Sequence, residues 1–184
     1  MIARRFCFMK IISLLWAFSL ILNPLPINAD TLQGKVVKIA DGDTVTIVDD
    51  SGKKYRIRLA GIDAPEKDQP YGLESTKNLE RLINGKRTTI NFSKHDRYGR
   101  IVGKVLVDPP GDAFCMAIGC VKQIDLNLEQ IKAGMAWHYK YYQMEQSEED
   151  RRLYSEAELE ARKKQIGLWK DEEPMAPWVW RKKK

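Results

Sequence analysis

The stretch 56-RIRLAGIDAPE-66 begins with alternating basic and apolar residues and ends with acidic ones. In an extended chain Ile57 and Leu59 point to one side and the two arginines to the other, a pattern typical of a strand with one buried face. Asp63 and Glu66 then follow, separated by an alanine and a proline. The stretch therefore predicts a strand that carries charged groups to one end of a sheet.

Four further segments resemble this strand, and turn-forming residues separate them. Val, Ile and Thr are frequent in each, and the sequences ADGD, DDSGK and DRYGR break the chain. The five predicted strands span residues 34–40, 44–49, 54–62, 87–94 and 101–107.

Three segments have helical patterns of apolar residues. They begin near residues 72, 125 and 147 and end near residues 84, 134 and 164. Because strands and helices do not alternate regularly, a doubly wound sheet is disfavoured. We predict an α+β fold: a five-stranded OB-fold β-barrel with three α-helices, an architecture whose outer face commonly binds nucleic acids.

Residues 1–29 have the features of an export signal. A basic start is followed by an apolar run over residues 11–22 and by a small residue at Ala29. The alternative is a membrane anchor, but the run is shorter than the roughly 20 residues needed to cross a bilayer, and two prolines follow it. We predict cleavage after Ala29, export to the periplasm or the medium, and no stable membrane insertion afterwards. Residues 30–184 then form a single domain with a short basic C-terminal tail that is expected to fray.

The net charge of the mature chain is only a weak indication of what the protein binds. Signal removal takes away three of the 31 basic residues and none of the 25 acidic ones, so the net charge falls from +6 to +3. This excess suits a polyanionic partner, but ordinary solvated surfaces also have it.

Two cysteines remain after signal removal, Cys115 and Cys120. An even pair in an exported protein predicts a disulfide, with free thiols as the alternative. Zinc is disfavoured because structural zinc normally takes four Cys or His ligands, and both histidines lie far away in sequence.

Two acidic clusters lie where neighbouring strands of the predicted barrel end. The sequence DGD, with Asp43 as its last residue, joins the first two strands, and DAPE begins with Asp63 after the third. We expect these two carboxylates to face one another, and they repel unless a cation relieves the repulsion. Carboxylate and carbonyl oxygens favour Ca²⁺ or Mg²⁺ over soft metals. Taken alone, DGD would be interpreted as an ordinary hairpin turn.

Two arginines accompany these acids: Arg58 lies on the polar face of the third strand, and Arg100 follows DRYG. A planar guanidinium binds phosphate oxygens in a bidentate manner. A metal and two arginines can neutralise the charge that builds on phosphorus during phosphodiester cleavage, while Glu66 can accept a proton from the attacking water. For either arginine alone, a surface salt bridge is the ordinary alternative.

The motifs DGDTV, RIRLAGIDAPE, YG at residues 71–72, DRYGR and GMAWHY follow one another in this order. As a set they resemble the staphylococcal nuclease (thermonuclease) family, over residues 34–169. The resemblance implies an OB-fold barrel with three helices. It also implies a Ca²⁺-dependent endonuclease that cuts DNA and RNA and leaves 3′-phosphates.

The resemblance further implies roles for individual residues. The side chains of Asp43 and Asp63 and the backbone carbonyl of Ala64 would bind Ca²⁺, and Glu66 would be the general base. The residues implied to hold the substrate are Arg58 and Arg100 at the phosphate, Tyr98 beside it, and Tyr142 and Tyr139 stacked on bases.

The chain departs from the archetype of that family in three places. Ala64 replaces a threonine, which is tolerable if only the carbonyl binds the metal. Residues 66–71 form a shorter segment than the archetype's active-site loop, so we expect the mobility of Glu66 to differ. In HYKYY, Tyr142 matches one stacking tyrosine, Lys140 stands in the place of the other, and Tyr139 is the expected substitute. Packing of the barrel's mouth is the alternative role for these rings.

Two other functions stay open from the sequence alone. One is a non-catalytic OB-fold module that binds nucleic acid, although such modules usually lose some of the acids or arginines that this chain keeps. The other is an exported domain stiffened by Ca²⁺, which would not need Arg58 and Arg100 beside the metal. DNA and RNA are the expected partners, Ca²⁺ is the expected cofactor, and a monomer is the expected form.

Overall fold

A five-stranded barrel carries the helices and turns in the computed structural model, which describes residues 30–83, 85–109 and 123–183. The strands of the described residues are β1 Asp30–Asp41, β2 Thr44–Val48, β3 Lys54–Leu59, β4 Ile62–Asp63, β5 Arg87–His95, β6 Ile101–Val107, β7 Ile124–Asp125 and β8 Trp137–His138. The helices are α1 Gly72–Ile83, α2 Leu126–Lys132, α3 Glu148–Lys163 and α4 Pro177–Trp180, with 3₁₀ helices at Lys140–Glu145 and Gly167–Lys170.

A parallel strand pair closes the barrel. β1, β2 and β3 form an antiparallel meander, and β1 also pairs with β5, which pairs with β6. β3 then pairs with β6 in parallel, with Ile57 opposite Ile101 and Leu59 opposite Gly103. The predicted α+β fold with a five-stranded OB-type barrel is therefore confirmed.

The barrel interior holds the apolar residues that the alternating patterns placed there. Val45, Ile47, Ile57, Ile90 and Val105 are all fully buried. Burying a side chain of this size stabilises the fold by about 1.5–3 kcal/mol. The same alternation leaves the polar face of β3 available to the site described below.

The third strand ends earlier than the sequence predicted. β3 stops at Leu59, because Gly61 adopts a φ of +72° and turns the chain. The next two residues form β4, which leaves the barrel and pairs with β8, with Asp63 opposite Trp137. This second ladder buries the Asp63 side chain almost completely.

The three predicted helices are present as α1, α2 and α3, and two of them have side-chain caps. Asp125 accepts a hydrogen bond from the N–H of Leu128 at the start of α2. Ser147 accepts one from the N–H of Asp150 at the start of α3. Each cap satisfies a backbone donor that has no partner within the helix.

The prediction of a frayed C-terminal tail is wrong. Residues 177–180 form α4, with Pro177 at its first turn, where a missing N–H is tolerated. The tail has a definite position because Pro177 is buried and the Trp178 ring contacts other aromatic rings.

The predicted signal at residues 1–29 and the predicted disulfide between Cys115 and Cys120 lie outside the described residues. Within residues 30–83, 85–109 and 123–183, no helix combines the length and the apolar composition needed to cross a membrane.

Candidate active site

A cleft of about 530 Å³ lies between the β1–β2 hairpin and the turn after β3. Both acidic and basic side chains line it. The acidic ones are Asp41, Asp43, Asp63, Glu66, Asp96 and Glu145, and the basic ones are Arg58, Lys94, Arg97, Arg100 and Arg181.

The DGD hairpin is packed tightly beneath the cleft. The N–H of Asp43 donates to Asp41 Oδ1 at 3.1 Å, and Gln130 Nε2 donates to the carbonyl of Gly42 at 2.6 Å. A Cβ atom on Gly42 would lie 1.8 Å from Ser75 Oγ, so only glycine fits there. The hairpin is therefore fixed against α1 and α2, beyond the ordinary turn that DGD alone would indicate.

Asp43 is buried and bound on both carboxylate oxygens. Its Oδ1 accepts a hydrogen bond from Thr44 Oγ1 at 3.0 Å, and its Oδ2 accepts one from the N–H of Ala64 at 2.7 Å. The bond to Ala64 ties the first acidic cluster to the second. The structure thus brings together Asp43 and Ala64, two of the three predicted metal-binding residues.

Arg58 joins the two predicted metal carboxylates. Its Nη1 lies 2.9 Å from Asp43 Oδ2, and its Nη2 lies 2.8 Å from Asp63 Oδ1. The guanidinium is 15 % exposed, whereas Asp63 is 1 % exposed. Arg58 therefore lies between the Asp43 and Asp63 carboxylates and supplies positive charge to both.

A short turn positions Glu66, and Gln69 holds that turn together. The N–H of Glu66 donates to Gln69 Oε1 at 3.1 Å, and the N–H of Gln69 donates to the carbonyl of Glu66 at 2.9 Å. At the end of the turn Tyr71 adopts a φ of +67°, and a Cβ on Gly72 would lie 1.9 Å from the carbonyl oxygen of Glu66. The sequence analysis missed Gln69 because a lone glutamine in a loop gives no signal.

Arg181 also reaches the acidic cluster, although sequence reasoning placed it in a frayed tail. Its Nη2 donates to Asp63 Oδ2 at 2.8 Å, and its Nη1 donates to Glu66 Oε1 at 2.7 Å. Nη1 also lies 3.3 Å from Asp63 Oδ1. The only sequence signal was the basic end of the chain, WRKKK, which does not indicate a contact partner.

Arg100 lines the cleft from the DRYGR turn. Its Nε lies 2.6 Å from Asp96 Oδ2, and its Nη1 lies 3.5 Å from Thr44 Oγ1. Asp96 Oδ1 also accepts hydrogen bonds from the backbone N–H groups of Tyr98 and Arg100. The turn thus fixes the backbone N–H and the Nε of Arg100, whereas its Nη1 has only the 3.5 Å contact to Thr44.

The predicted tyrosines occupy two different places. Tyr139 and Tyr142 line the cleft, with ring centroids 5.5 Å apart, and Lys94 Nζ lies 4.9 Å from the Tyr142 centroid. Tyr98 is 66 % exposed, and its ring contacts Arg100 at 5.6 Å. Both arrangements leave aromatic surface beside basic groups.

Lys140 does not take a place in the cleft. Its Nζ lies 3.0 Å from Glu158 Oε2, on the α3 side. Of the residues weighed for HYKYY, Tyr139 and Tyr142 are therefore the two that line the cleft.

Burial and crowding raise the pKa of two carboxyl groups. Burial, together with the neighbouring Asp43 carboxylate, raises the pKa of Asp41 to about 7. Burial also raises the pKa of Asp63, although hydrogen bonds and charge from Arg181 and Arg58 partly offset this effect. In both groups burial is the main cause, because it disfavours the charged form of a carboxyl group.

The donor set of the cleft suits a hard divalent cation. Asp43 and Asp63 supply buried carboxylates, and Glu66 supplies a more exposed one nearby. Ca²⁺ and Mg²⁺ prefer such oxygen ligands. Among the described residues no three acidic, His or Cys side chains converge as a ready metal site, and arginine nitrogens instead bind the carboxylate oxygens. The chemistry of these oxygen donors suits a divalent cation, whereas in this structure arginine nitrogens bind them.

Comparison with known proteins gives consistent results. Residues 56–171 match the family described as staphylococcal nuclease homologue. The chain is 38 % identical to an uncharacterized endonuclease of Escherichia coli over 159 residues, which cover 86 % of this chain and 91 % of that protein. It is 36 % identical to the micrococcal nuclease of Shigella flexneri, with coverage of 86 % and 84 %. It is 39 % identical to a staphylococcal-like nuclease of Arabidopsis thaliana, over 72 % of this chain and 35 % of that protein.

Proposed function

The chain is an endonuclease of the staphylococcal nuclease family, and from this premise we propose that it is an exported, Ca²⁺-dependent enzyme that cuts DNA and RNA and leaves 3′-phosphates. The observation that supports the proposal most directly is the bridge from Asp43 through Arg58 to Asp63, with 2.9 Å and 2.8 Å contacts. It places two carboxylates and a guanidinium in one cleft with Glu66. These groups are the ones that phosphodiester hydrolysis requires.

Asp43, Asp63 and the carbonyl of Ala64 would hold the cation in this proposal. When bound, Ca²⁺ would offset the negative charge that develops on the phosphate oxygens. The proposal rests on the burial of both aspartates, which favours ligands that keep a fixed geometry, and on the preference of Ca²⁺ for oxygen donors.

The side chains then act directly on substrate and water. Glu66 takes a proton from water as the water oxygen bonds to phosphorus. The bond from phosphorus to O5′ breaks, the leaving O5′ takes a proton from solvent water, and the phosphate stays on the 3′ side. Arg100, whose Nη1 has only a 3.5 Å contact to Thr44 Oγ1, and Arg58 bind the phosphate oxygens and stabilise their charge.

The aromatic residues would bind the bases. Tyr139 and Tyr142 line the cleft, and Lys94 lies against the Tyr142 ring. Rings beside basic groups favour stacking on unpaired bases, which every base type permits. Tyr98, at the outer edge beside Arg100, would contact the phosphate that Arg100 binds.

The test is cleavage of single-stranded DNA, double-stranded DNA and RNA, each with Ca²⁺, Mg²⁺ or EDTA. We expect Ca²⁺-dependent cutting of all three, and products that a 3′-phosphatase must treat before a polymerase can extend them. Glu66→Gln should lower kcat by about 10²–10⁴-fold, whereas Glu80→Gln, on the exposed face of α1 outside the cleft, should not. Folded protein that binds but does not cut these substrates would instead indicate a binding module.

Export has its own test. Mass spectrometry of the protein from the periplasmic and medium fractions should give a chain that begins at Asp30. A protein that stays in the cell with its first residues intact would contradict the export proposal.

A further inference from the structure

The C-terminal segment, residues 175–183, is called the strap below, and its Arg181 contacts the acidic cluster. We propose that the strap is an intrasteric inhibitor: Arg181 binds Asp63, one of the two carboxylates proposed to hold the cation, and the strap tip must lift before a divalent cation can bind. The inference rests on the proposed function, because it takes Asp63 as a metal ligand.

Arg181 and a cation cannot bind Asp63 in the same way at the same time. Both oxygens of this carboxylate accept hydrogen bonds in the structure: Oδ1 from Arg58 at 2.8 Å, and Oδ2 from Arg181 at 2.8 Å. A Ca²⁺ ion binds carboxylate oxygens at about 2.3–2.6 Å, which is the space that the Arg181 guanidinium fills. The two positive charges would also repel each other.

Arg181 also binds Glu66, the proposed general base. Its Nη1 donates to Glu66 Oε1 at 2.7 Å, which takes up one acceptor site of that oxygen and holds the carboxylate against the guanidinium. One guanidinium therefore contacts the groups of two steps of the proposed reaction, the binding of the cation at Asp63 and the activation of water at Glu66.

The strap has a firm base and an exposed tip. At the base Gln69 Nε2 donates to the carbonyl of Met175 at 2.6 Å, and the Trp178 ring lies 5.4 Å from both Trp137 and Tyr139. At the tip the Arg181 side chain is 44 % exposed. Lifting the tip breaks the ion pair to the buried Asp63 carboxylate, so we expect the tip to lift when a cation replaces the Arg181 charge there, while the base stays packed.

Cation binding and strap closure are consequently linked. A cation that binds only the open form has an apparent affinity reduced by the fraction of molecules that are open, and by reciprocity the cation opens the strap. Nucleic acid acts in the same direction, because its phosphates attract a tip that carries Arg181, Lys182 and Lys183.

The first experiment measures Ca²⁺ affinity by calorimetry, without nucleic acid. Arg181→Gln should bind Ca²⁺ at least about fivefold more tightly than the unaltered protein, the lower end of typical coupling between two sites. Lys183→Gln is the matched control, because it removes one charge from the exposed tip but no contact with Asp63 or Glu66. Its Ca²⁺ affinity should stay within about twofold of the unaltered protein's.

The outcomes separate the strap from the proposed function. If Arg181→Gln binds Ca²⁺ as tightly as the unaltered protein or more weakly, the strap proposal is overturned and the proposed function is not. Absence of Ca²⁺ binding in all three proteins overturns the metal assignment, and the strap with it.

A second experiment uses the unaltered protein, so that it does not depend on the folding of a variant. Trypsin cannot take up the Arg181 side chain while that side chain is bound to Asp63 and Glu66. Ca²⁺ should therefore speed cleavage after Arg181 severalfold, measured by mass spectrometry, with a short arginine peptide as the control for the protease. A rate that Ca²⁺ leaves unchanged overturns the strap.

Discussion

Glu66 and Gln69 bind each other twice, through the Glu66 N–H to Gln69 Oε1 at 3.1 Å and the Gln69 N–H to the Glu66 carbonyl at 2.9 Å. The amide of Gln69 is buried, so it fixes the direction from which the Glu66 side chain enters the cleft. Gln69 touches no substrate and acts as a positioning residue. Small displacements of a reacting group can be costly, because a shift of about 1 Å can lower a rate about 100-fold.

Gln69→Ala is therefore expected to lower kcat by about 10–100-fold while KM changes little. Steady-state cleavage of a defined single-stranded DNA checks this, with melting curves to confirm folding. Gln33→Ala, at an exposed position of β1, should have wild-type kcat. A raised KM at unchanged kcat would assign Gln69 to substrate binding instead.

Arg58→Met should destabilise the protein by about 3 kcal/mol in EDTA, because it leaves the buried carboxylates of Asp43 and Asp63 without this counter-charge. Urea denaturation at pH 7.5 measures the effect. Arg56→Met is the matched control on the same strand, at an exposed position, and should change the free energy of unfolding by less than about 0.5 kcal/mol. Similar losses in both variants would mean that the bridge contributes little.

Gly42→Ala should destabilise the hairpin by about 1–3 kcal/mol, because its Cβ would lie 1.8 Å from Ser75 Oγ and 2.8 Å from Ala64 Cβ. Urea denaturation again measures the change in free energy of unfolding. A neutral result would show that α1 can move away from the hairpin at little cost.

His138 is expected to make stability depend on pH. Burial lowers the pKa of His138, with Lys140 acting in the same direction, while the hydrogen bond to Gln146 and the charge of Glu158 oppose the shift. The unfolded chain therefore binds more protons than the folded chain as the pH falls below about 6.5, and the contribution of His138 to stability decreases there.

The measurement is urea denaturation at pH 7.5, 6.5 and 5.5. His138→Asn should lose less stability between pH 7.5 and pH 5.5 than the unaltered protein does. The other histidine of the chain provides the control: His95→Asn, at the exposed end of β5, should keep the original dependence. If all three proteins lose the same stability between pH 7.5 and pH 5.5, His138 is not the source of the pH dependence.

The disulfide between Cys115 and Cys120 stays a prediction from composition and export. Ellman titration of the denatured, unreduced exported protein should find no free thiols. Two free thiols would show that Cys115 and Cys120 do not form a disulfide.

The barrel and half of the site could be predicted because their signals are local. Alternation in β3 placed Ile57 inside and Arg58 outside, and the ends of neighbouring strands placed Asp43 beside Asp63. The end of β3 was missed because Gly61 breaks the pattern through its backbone conformation alone. Arg181 was missed because its partner Asp63 lies 118 positions away, and no periodicity connects the two.

The β4–β8 ladder sets a limit on when this cleft exists during folding. Asp63 reaches its buried position only when residues 62–63 pair with residues 137–138, long after the segments around Asp63 have left the ribosome. Contacts between residues so far apart in sequence form slowly, because the intervening chain must first lose its freedom. A chain that is still unfolded thus carries every proposed catalytic group without an assembled cleft, and recovery of cleavage after refolding reports the completion of the whole domain.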